Sequence, residues 1–239
     1  MWSVATWKGR ERDGSRPWTI EDFREAGRRD CADIMRHWDH YGRMNDGTCI
    51  ESGCGAGTLT SALLNHFERI FAVDVSEDQV ELARQVIGEE ASRVEFAIVD
   101  SPALEVPTIS CSGMISTHVF QHFSSYSGIE AYLDQTYNAL VPGASICFQL
   151  PVPGADKGDV PSFSYRAFDL VRTGISRALG RRRFMEYNRY PAGTVVSTLR
   201  RIGFAEVEVR IFALVTTGFR QSFFFARKPV PGITGQESR

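Results

Sequence analysis

From Thr19 to Arg227 the apolar positions switch repeatedly between two spacings. Thr19 opens a helical stretch, with Asp22 three residues on as a capping pair. Phe23, Ala26, Asp30, Asp33, Ile34, His37, Trp38 and Tyr41 then fall mainly at steps of three and four, one face of a helix. Gly42 and Asn45-Asp46-Gly47 end it. A short strand over Thr48–Ser52 follows, then a helix from about Thr58 to His66 that turns Leu59, Ala62, Leu63 and Phe67 inward. The second strand is Arg69–Asp74. Ser76-Glu77-Asp78-Gln79 reads as a capping box for a helix carrying Val80, Leu82, Ala83, Val86 and Ile87. The third strand is Val94–Val99 and the fourth roughly Gly113–Thr117. Ser127-Gly128-Ile129-Glu130 reads as another capping box. It opens a helix through Leu133, Tyr137 and Leu140 that stops at Val141-Pro142-Gly143, before a fifth strand at Ala144–Leu150. Ala205–Ala213 and Thr217–Arg227 are β-rich runs split by a short turn, a terminal antiparallel pair.

Strands alternating with helices imply right-handed crossovers, so the expected fold is α/β. Its seven-stranded sheet is mostly parallel, ends in the antiparallel pair and carries helices on both faces. Ligands bind such a sheet at the carboxyl ends of its strands. Residues 151–190 break the alternation: Pro151, Pro153, Gly154, Gly158 and Pro161 make a loop, and Ser164–Leu179 is expected as an amphipathic helix. A single domain over residues 1–239 is expected. It has an arm (1–17) and a helix within 1–45, an insert at 151–190 and a flexible tail at 229–239.

Composition narrows the class. A chain of 239 residues with 43% hydrophobic content can bury one α/β core. The net charge of -2 offers no global field for nucleic acid. No apolar run approaches the ~20 residues of a membrane span, and the N-terminus lacks a signal-like apolar stretch. Five cysteines without a C-x-x-C pair argue for reduced thiols in a cytoplasm rather than a disulfide frame or zinc site.

The chemistry lies in Cys49-Ile50-Glu51-Ser52-Gly53-Cys54-Gly55-Ala56-Gly57-Thr58-Leu59 and in Phe71-Ala72-Val73-Asp74. Glycines at 53, 55 and 57 let backbone approach a ligand that a Cβ would push away. Asp74, at the tip of the neighbouring strand, stands where a βαβ unit grips a ribose diol. A dinucleotide fingerprint would need its third glycine at 58, which is Thr58. Glu51, two residues before the first glycine, would repel a pyrophosphate and suits a ligand with an ammonium group and no phosphate.

This pattern resembles the first motif of the class I S-adenosylmethionine (SAM) dependent methyltransferases, and the resemblance runs from about Trp18 to Lys228. The antiparallel finish is a known departure of that fold from the nucleotide dehydrogenases. The resemblance implies SAM as cofactor, with S-adenosylhomocysteine as product. It places Gly53, Cys54, Gly55 and Gly57 against the methionine half of SAM, with Glu51 holding the loop and the ammonium. Asp74 would take the ribose hydroxyls, Val75 the adenine face, and Asp100 and Ser101 the adenine edge. Ser116 would lie near the sulfonium. Gly27-Arg28-Arg29 resembles a segment preceding the domain in some relatives, which offers Arg28 to the SAM carboxylate.

SAM already carries an activated methyl, so the protein must align a nucleophile and exclude water. The segment Ser116-Thr117-His118-Val119-Phe120-Gln121-His122 matches a family pattern whose last position is His122. Histidine titrates near working pH, which makes His122 the first general-base candidate and His118 the second. Gln121 and Gln149 are candidates to meet the substrate. Between Arg166 and Arg189, seven arginines accompany only Asp169 and Glu186, which reads as a lid over an acceptor pocket or as a solvated or oligomer face. No metal site is expected; Asp156 and Asp159 are weak grounds for Mg²⁺. The overall expectation is a cytoplasmic methyltransferase acting on a small molecule, most readily a hydroxyl oxygen of a sugar or natural product. No nucleic-acid partner and no transmembrane segment are expected, and a homo-oligomer stays open. Methylation of nitrogen or carbon, and a SAM-binding protein without turnover, are the alternatives.

Overall fold

A computed structural model describes residues 19–44, 46–99, 110–155 and 188–232. Its elements run α1 (Ile20–Tyr41), β1 (Thr48–Ser52), α2 (Thr58–Leu63), β2 (Arg69–Asp74), α3 (Glu77–Ile87) and β3 (Val94–Ile98). They continue with β4 (Cys111–Ser116), α4 (Tyr126–Ala139), β5 (Leu140–Gln149), α5 (Ala192–Ile202), β6 (Ala205–Ala213) and β7 (Arg220–Arg227). Among the described residues the seven strands form one sheet in the order β3-β2-β1-β4-β5-β7-β6. β1 to β5 pair in parallel, and β7 lies antiparallel between β5 and β6.

The sheet separates two cores. On one face, Cys31, Ile34 and Trp38 of α1, Leu59 and Leu63 of α2 and Val80 and Ala83 of α3 meet Cys49, Ile115, Phe223 and Phe225. On the other, Ile129 and Leu133 of α4 and Val195 and Leu199 of α5 meet Ile50, Met114, Phe148 and Phe224. Every residue of β4 is buried, as a central strand covered on both faces requires. Phe223, Phe224 and Phe225 alternate between the two cores because successive strand residues point to opposite faces. Trp38 ties α1 to the sheet by donating its indole N–H to the Ser145 hydroxyl at 2.9 Å. The five cysteines are buried, and none of them forms a disulfide.

Strand order reverses beside β1, whose neighbours are β2 on one side and β4 on the other. The carboxyl ends of these strands therefore open a crevice at a topological switch point. Two aspartates on the apolar face of α1 belong to this end. Asp30 accepts from the Thr216 amide and hydroxyl, and Asp33 accepts from the Val215 amide at 3.2 Å, so α1 holds the β6–β7 turn.

Several boundaries differ from the sequence reading. Thr19 and Asp22 form a complete capping box, whereas Ser76 supplies only its own half, accepting from the Gln79 amide. The N-cap of α4 is Ser125 rather than Ser127: the Ser125 hydroxyl accepts from Gly128, and Ser127 bonds Ser125 instead. Glu130 is drawn away to Arg201 and Thr198 on α5. α2 ends at Leu63, and residues 64–66 turn. β5 starts at Leu140, because Leu140 pairs with Cys111 across a bulge and the chain passes straight from helix to strand. β7 starts at Arg220, after a turn over 215–217. α5 has no counterpart in the sequence reading. The 1–17 arm, the 164–179 helix, the arginines before Arg189 and the 233–239 part of the tail lie outside the described residues.

Candidate functional site

β1 ends in Ser52, and the loop after it folds back onto β2. The amides of Gly53 and Cys54 both donate to the Val73 carbonyl, at 2.7 and 3.0 Å. Gly53, Gly55 and Gly57 all have positive φ, which a side chain would resist. A Cβ on Gly53 would sit 2.0 Å from Cγ2 of Val119, so the turn after β4 presses on the loop. A Cβ on Gly55 would meet nothing nearer than the Gln79 side chain at 4.0 Å, so open space lies above that backbone. Gly57 caps α2 and packs against Ala83 of α3. Cys54 is buried beneath the loop, and burial pushes its thiol well up.

Asp74 ends β2 and locks the loop. Its Oδ2 accepts from the Gly55 amide at 2.8 Å, and its Oδ1 accepts from Ser76 at 3.0 Å. Each oxygen keeps a further lone pair for a ligand hydroxyl. Beside it Val75 is 73% exposed, and Ile98, in register with Asp74 on β3, is 50% exposed. Two exposed large apolar side chains at adjacent strand ends form an apolar wall. The sequence reading named only Val75; the terminal apolar residue of the third strand was the signal for Ile98.

Glu51 lies under the loop at 2% exposure, and its Oε2 has no hydrogen-bond partner. Burial pushes its carboxyl up to about 8; the Thr60 hydroxyl opposes the shift and the nearby Asp74 carboxylate adds to it.

Above β4 the chain makes the turn that carries both histidines. His118 holds a left-handed backbone at φ 60°, and its amide donates to Oε1 of Gln149 at 3.1 Å. Gln149, at the end of β5, thus supports the turn from below. Phe120–His122 is a single 3₁₀ turn. Gln121 is buried, its Nε2 lies 3.2 Å from Nε2 of His122, and its own Oε1 is buried without a partner. The Gln121 carbonyl accepts from the Asn188 amide, and Asn188 Nδ2 donates to the Phe123 carbonyl, so the chain before α5 straps this turn. Ser116 is fully buried and donates its hydroxyl to the Ser52 carbonyl at 3.2 Å, joining the ends of β4 and β1.

Arg28 pairs with Glu21 at 2.7 Å and Glu25 at 2.8 Å on the exposed face of α1. A Cβ on Gly27, the glycine before it, would sit 1.7 Å from the Thr58 carbonyl oxygen. α1 therefore crosses α2 backbone to backbone at the loop. Asp100, Ser101, Asp156 and Asp159 lie outside the described residues. No cluster of metal-binding side chains occurs among the described residues, and none of their helices is long and apolar enough to cross a membrane.

Residues 50–143 match the family described as "Methyltransferase domain", a span that holds the glycine loop, Asp74 and both histidines. The chain has the topology of the Rossmann-like methyltransferase fold. No curated protein matches it in sequence. Solved structures share its fold. N-methyltransferase NodS of Bradyrhizobium japonicum, in complex with S-adenosylhomocysteine, is similar at TM-score 0.59 and 18% identity over 90% of this chain and 93% of that one. Phosphoethanolamine N-methyltransferase 2 of Haemonchus contortus, in complex with SAM, is similar at 0.61 and 16%, over 89% of this chain and 58% of that one. The 1,6-didemethyltoxoflavin-N1-methyltransferase of Burkholderia thailandensis, with 1,6-didemethyltoxoflavin and S-adenosylhomocysteine bound, is similar at 0.58 and 18%, over 87% and 80%.

Proposed function

We propose that this chain moves a methyl group from SAM to a small-molecule acceptor, with a hydroxyl oxygen as the receiving atom. The observation that carries the reading is the buried Glu51 carboxyl, its Oε2 without a hydrogen-bond partner, beneath a glycine loop that offers backbone and open space at Gly55. A pyrophosphate would find no cation among the described groups around Glu51; a phosphate-free ligand with an ammonium group would find a counter-ion once the carboxyl gives up its proton. Asp74 suits the ribose hydroxyls, and Val75 with Ile98 suits one face of adenine. SAM supplies an electrophilic methyl carbon when bound.

The remaining work falls to the turn above β4. His122 takes the acceptor's hydroxyl proton as the oxygen gains its new bond, and later passes that proton to water. Gln121 orients His122 at this 3.2 Å contact with its amide turned so that the oxygen accepts from Nε2–H, which makes Nδ1 the basic nitrogen, and Gln149 holds the His118 backbone so that the turn keeps its shape. Val119 presses this turn against Gly53, which sets the base beside the cofactor loop. A nitrogen acceptor is the second reading, because three solved structures of the same fold are described as N-methyltransferases.

The test is a panel of hydroxylated and amine acceptors with S-adenosylhomocysteine release as readout, run with and without Mg²⁺. Turnover on a hydroxyl acceptor supports the oxygen reading, and turnover confined to amines replaces it with the second. His122→Ala is expected to lower kcat by ~10²–10⁴-fold with SAM affinity unchanged. Unaltered kcat would remove His122 from the chemistry.

A further inference from the structure

Glu51 poses an electrostatic problem that the glycine loop alone does not solve. Among the described residues, the groups that act on its charge leave a negative carboxylate uncompensated. Cys49 shares its strand, Cys31 comes from α1, Thr60 from α2, Cys54 from the loop and Asp74 from β2. None of these is a cation, and Asp74 carries like charge. The Oε2 atom has no hydrogen-bond partner at 2% residue exposure. A buried ionised carboxylate without a counter-ion costs several kcal/mol, and such a group takes up a proton instead. The same burial pushes this carboxyl up to about 8.

We propose that Glu51 is protonated before the cofactor arrives, and that loading exchanges this proton for the ligand's ammonium group. Glu51 thereby selects ligands that carry an amino-acid tail over nucleosides that lack one. The balance is simple: the carboxylic acid loses one proton to buffer, and the carboxylate formed accepts from the ammonium. No other bond forms or breaks. The inference rests on the SAM reading above, and it assigns Glu51 a selective role rather than a passive one.

The test is calorimetry of the full chain with S-adenosylhomocysteine at pH 6 and 7, in buffers of different ionisation enthalpy. One proton is expected to leave per site. Affinity is then expected to rise about tenfold from pH 6 to pH 7, as proton linkage requires. Methylthioadenosine, which has no amino-acid tail, is expected to bind without proton release and with pH-independent affinity. Glu51→Gln is expected to abolish the release. Infrared difference spectra of the bound against the free protein provide a readout that does not depend on any variant folding. They are expected to show loss of a protonated-carboxyl carbonyl band.

Buffer-independent heat with S-adenosylhomocysteine would overturn the exchange while leaving the SAM reading intact. So would proton release that survives in Glu51→Gln, or release of equal size with methylthioadenosine. Absence of any binding by S-adenosylhomocysteine would instead bring down the SAM reading itself.

Discussion

Asp74 shapes the glycine loop through the Gly55 and Ser76 amides, and the proposed function gives the same carboxylate the ribose hydroxyls. Asp74→Ala removes a charged acceptor from both, so SAM affinity is expected to fall by about 2 kcal/mol, roughly 30-fold, in a titration. An unchanged affinity would remove Asp74 from the ribose role. Glu51 governs pH instead. Its folded carboxyl is raised from 4.5 to about 8, whereas in the unfolded chain it ionises in the ordinary range. The stabilising effect of keeping the proton is complete below the unfolded value and is lost as pH rises through the folded one. The empty protein is therefore expected to lose about 1.4 kcal/mol per pH unit between roughly pH 5 and 8 relative to Glu51→Gln. Paired urea melts of the two proteins measure this; parallel curves across that window would contradict it. At this scale the sequence named the candidate groups but not what they touch. Glu51, the glycines and Asp74 were readable because their spacing encodes a loop. The neighbours of Gly53, Gln149 and Ser116 were not, because Val119, the His118 amide and the Ser52 carbonyl come from segments distant in sequence.

The elements that frame the site are set by close contacts. α1 crosses α2 where Gly27 meets Thr58, and a methyl group there would overlap a carbonyl oxygen at 1.7 Å. Backbone cannot rotate away as a side chain can, so Gly27→Ala is expected to cost about 3 kcal/mol, read as a lowered urea midpoint with unchanged slope. A midpoint within error of the wild type would show that the helices can separate. The cap of α1 is a gentler probe. Thr19→Ala removes the hydroxyl that accepts from Asp22, with an expected loss of about 1 kcal/mol by the same measurement. Most strands were legible to within a residue or two because apolar runs ended in Gly, Asp or Ser. Leu140 misled, because Pro142-Gly143 reads as a stop although the strand continues through it. Ser127 misled for another reason: Ser125, two residues earlier, reaches the same turn. α5 follows directly on an irregular, proline-rich stretch and has no side-chain cap to mark its start. Val195, Val196, Leu199 and Ile202, with Gly203 after them, carry its period.

At the scale of the whole molecule, the sheet order concentrates chemistry at one edge of the crevice. β1, β2, β4 and β5 all point their carboxyl ends the same way; Ser52, Asp74, Ser116 and Gln149 close those strands, with Glu51 one residue inside β1. The antiparallel β7 returns the chain so that the β6–β7 turn also reaches this end, where Asp30 and Asp33 hold it. The fold class was legible from alternation alone, since strand–helix repeats impose parallel pairing and the last two runs had no helix between them. The acceptor was not, because nothing in the glycine loop encodes it. The account depends on what the crevice between the glycine loop and Asp74 accepts. Isothermal titration of the purified chain with SAM, set beside NAD and ATP, asks this directly. Saturable heat with SAM at one site per chain, and none with the two phosphorylated nucleotides, is the expected result. Binding of NAD or ATP with no heat from SAM would contradict it.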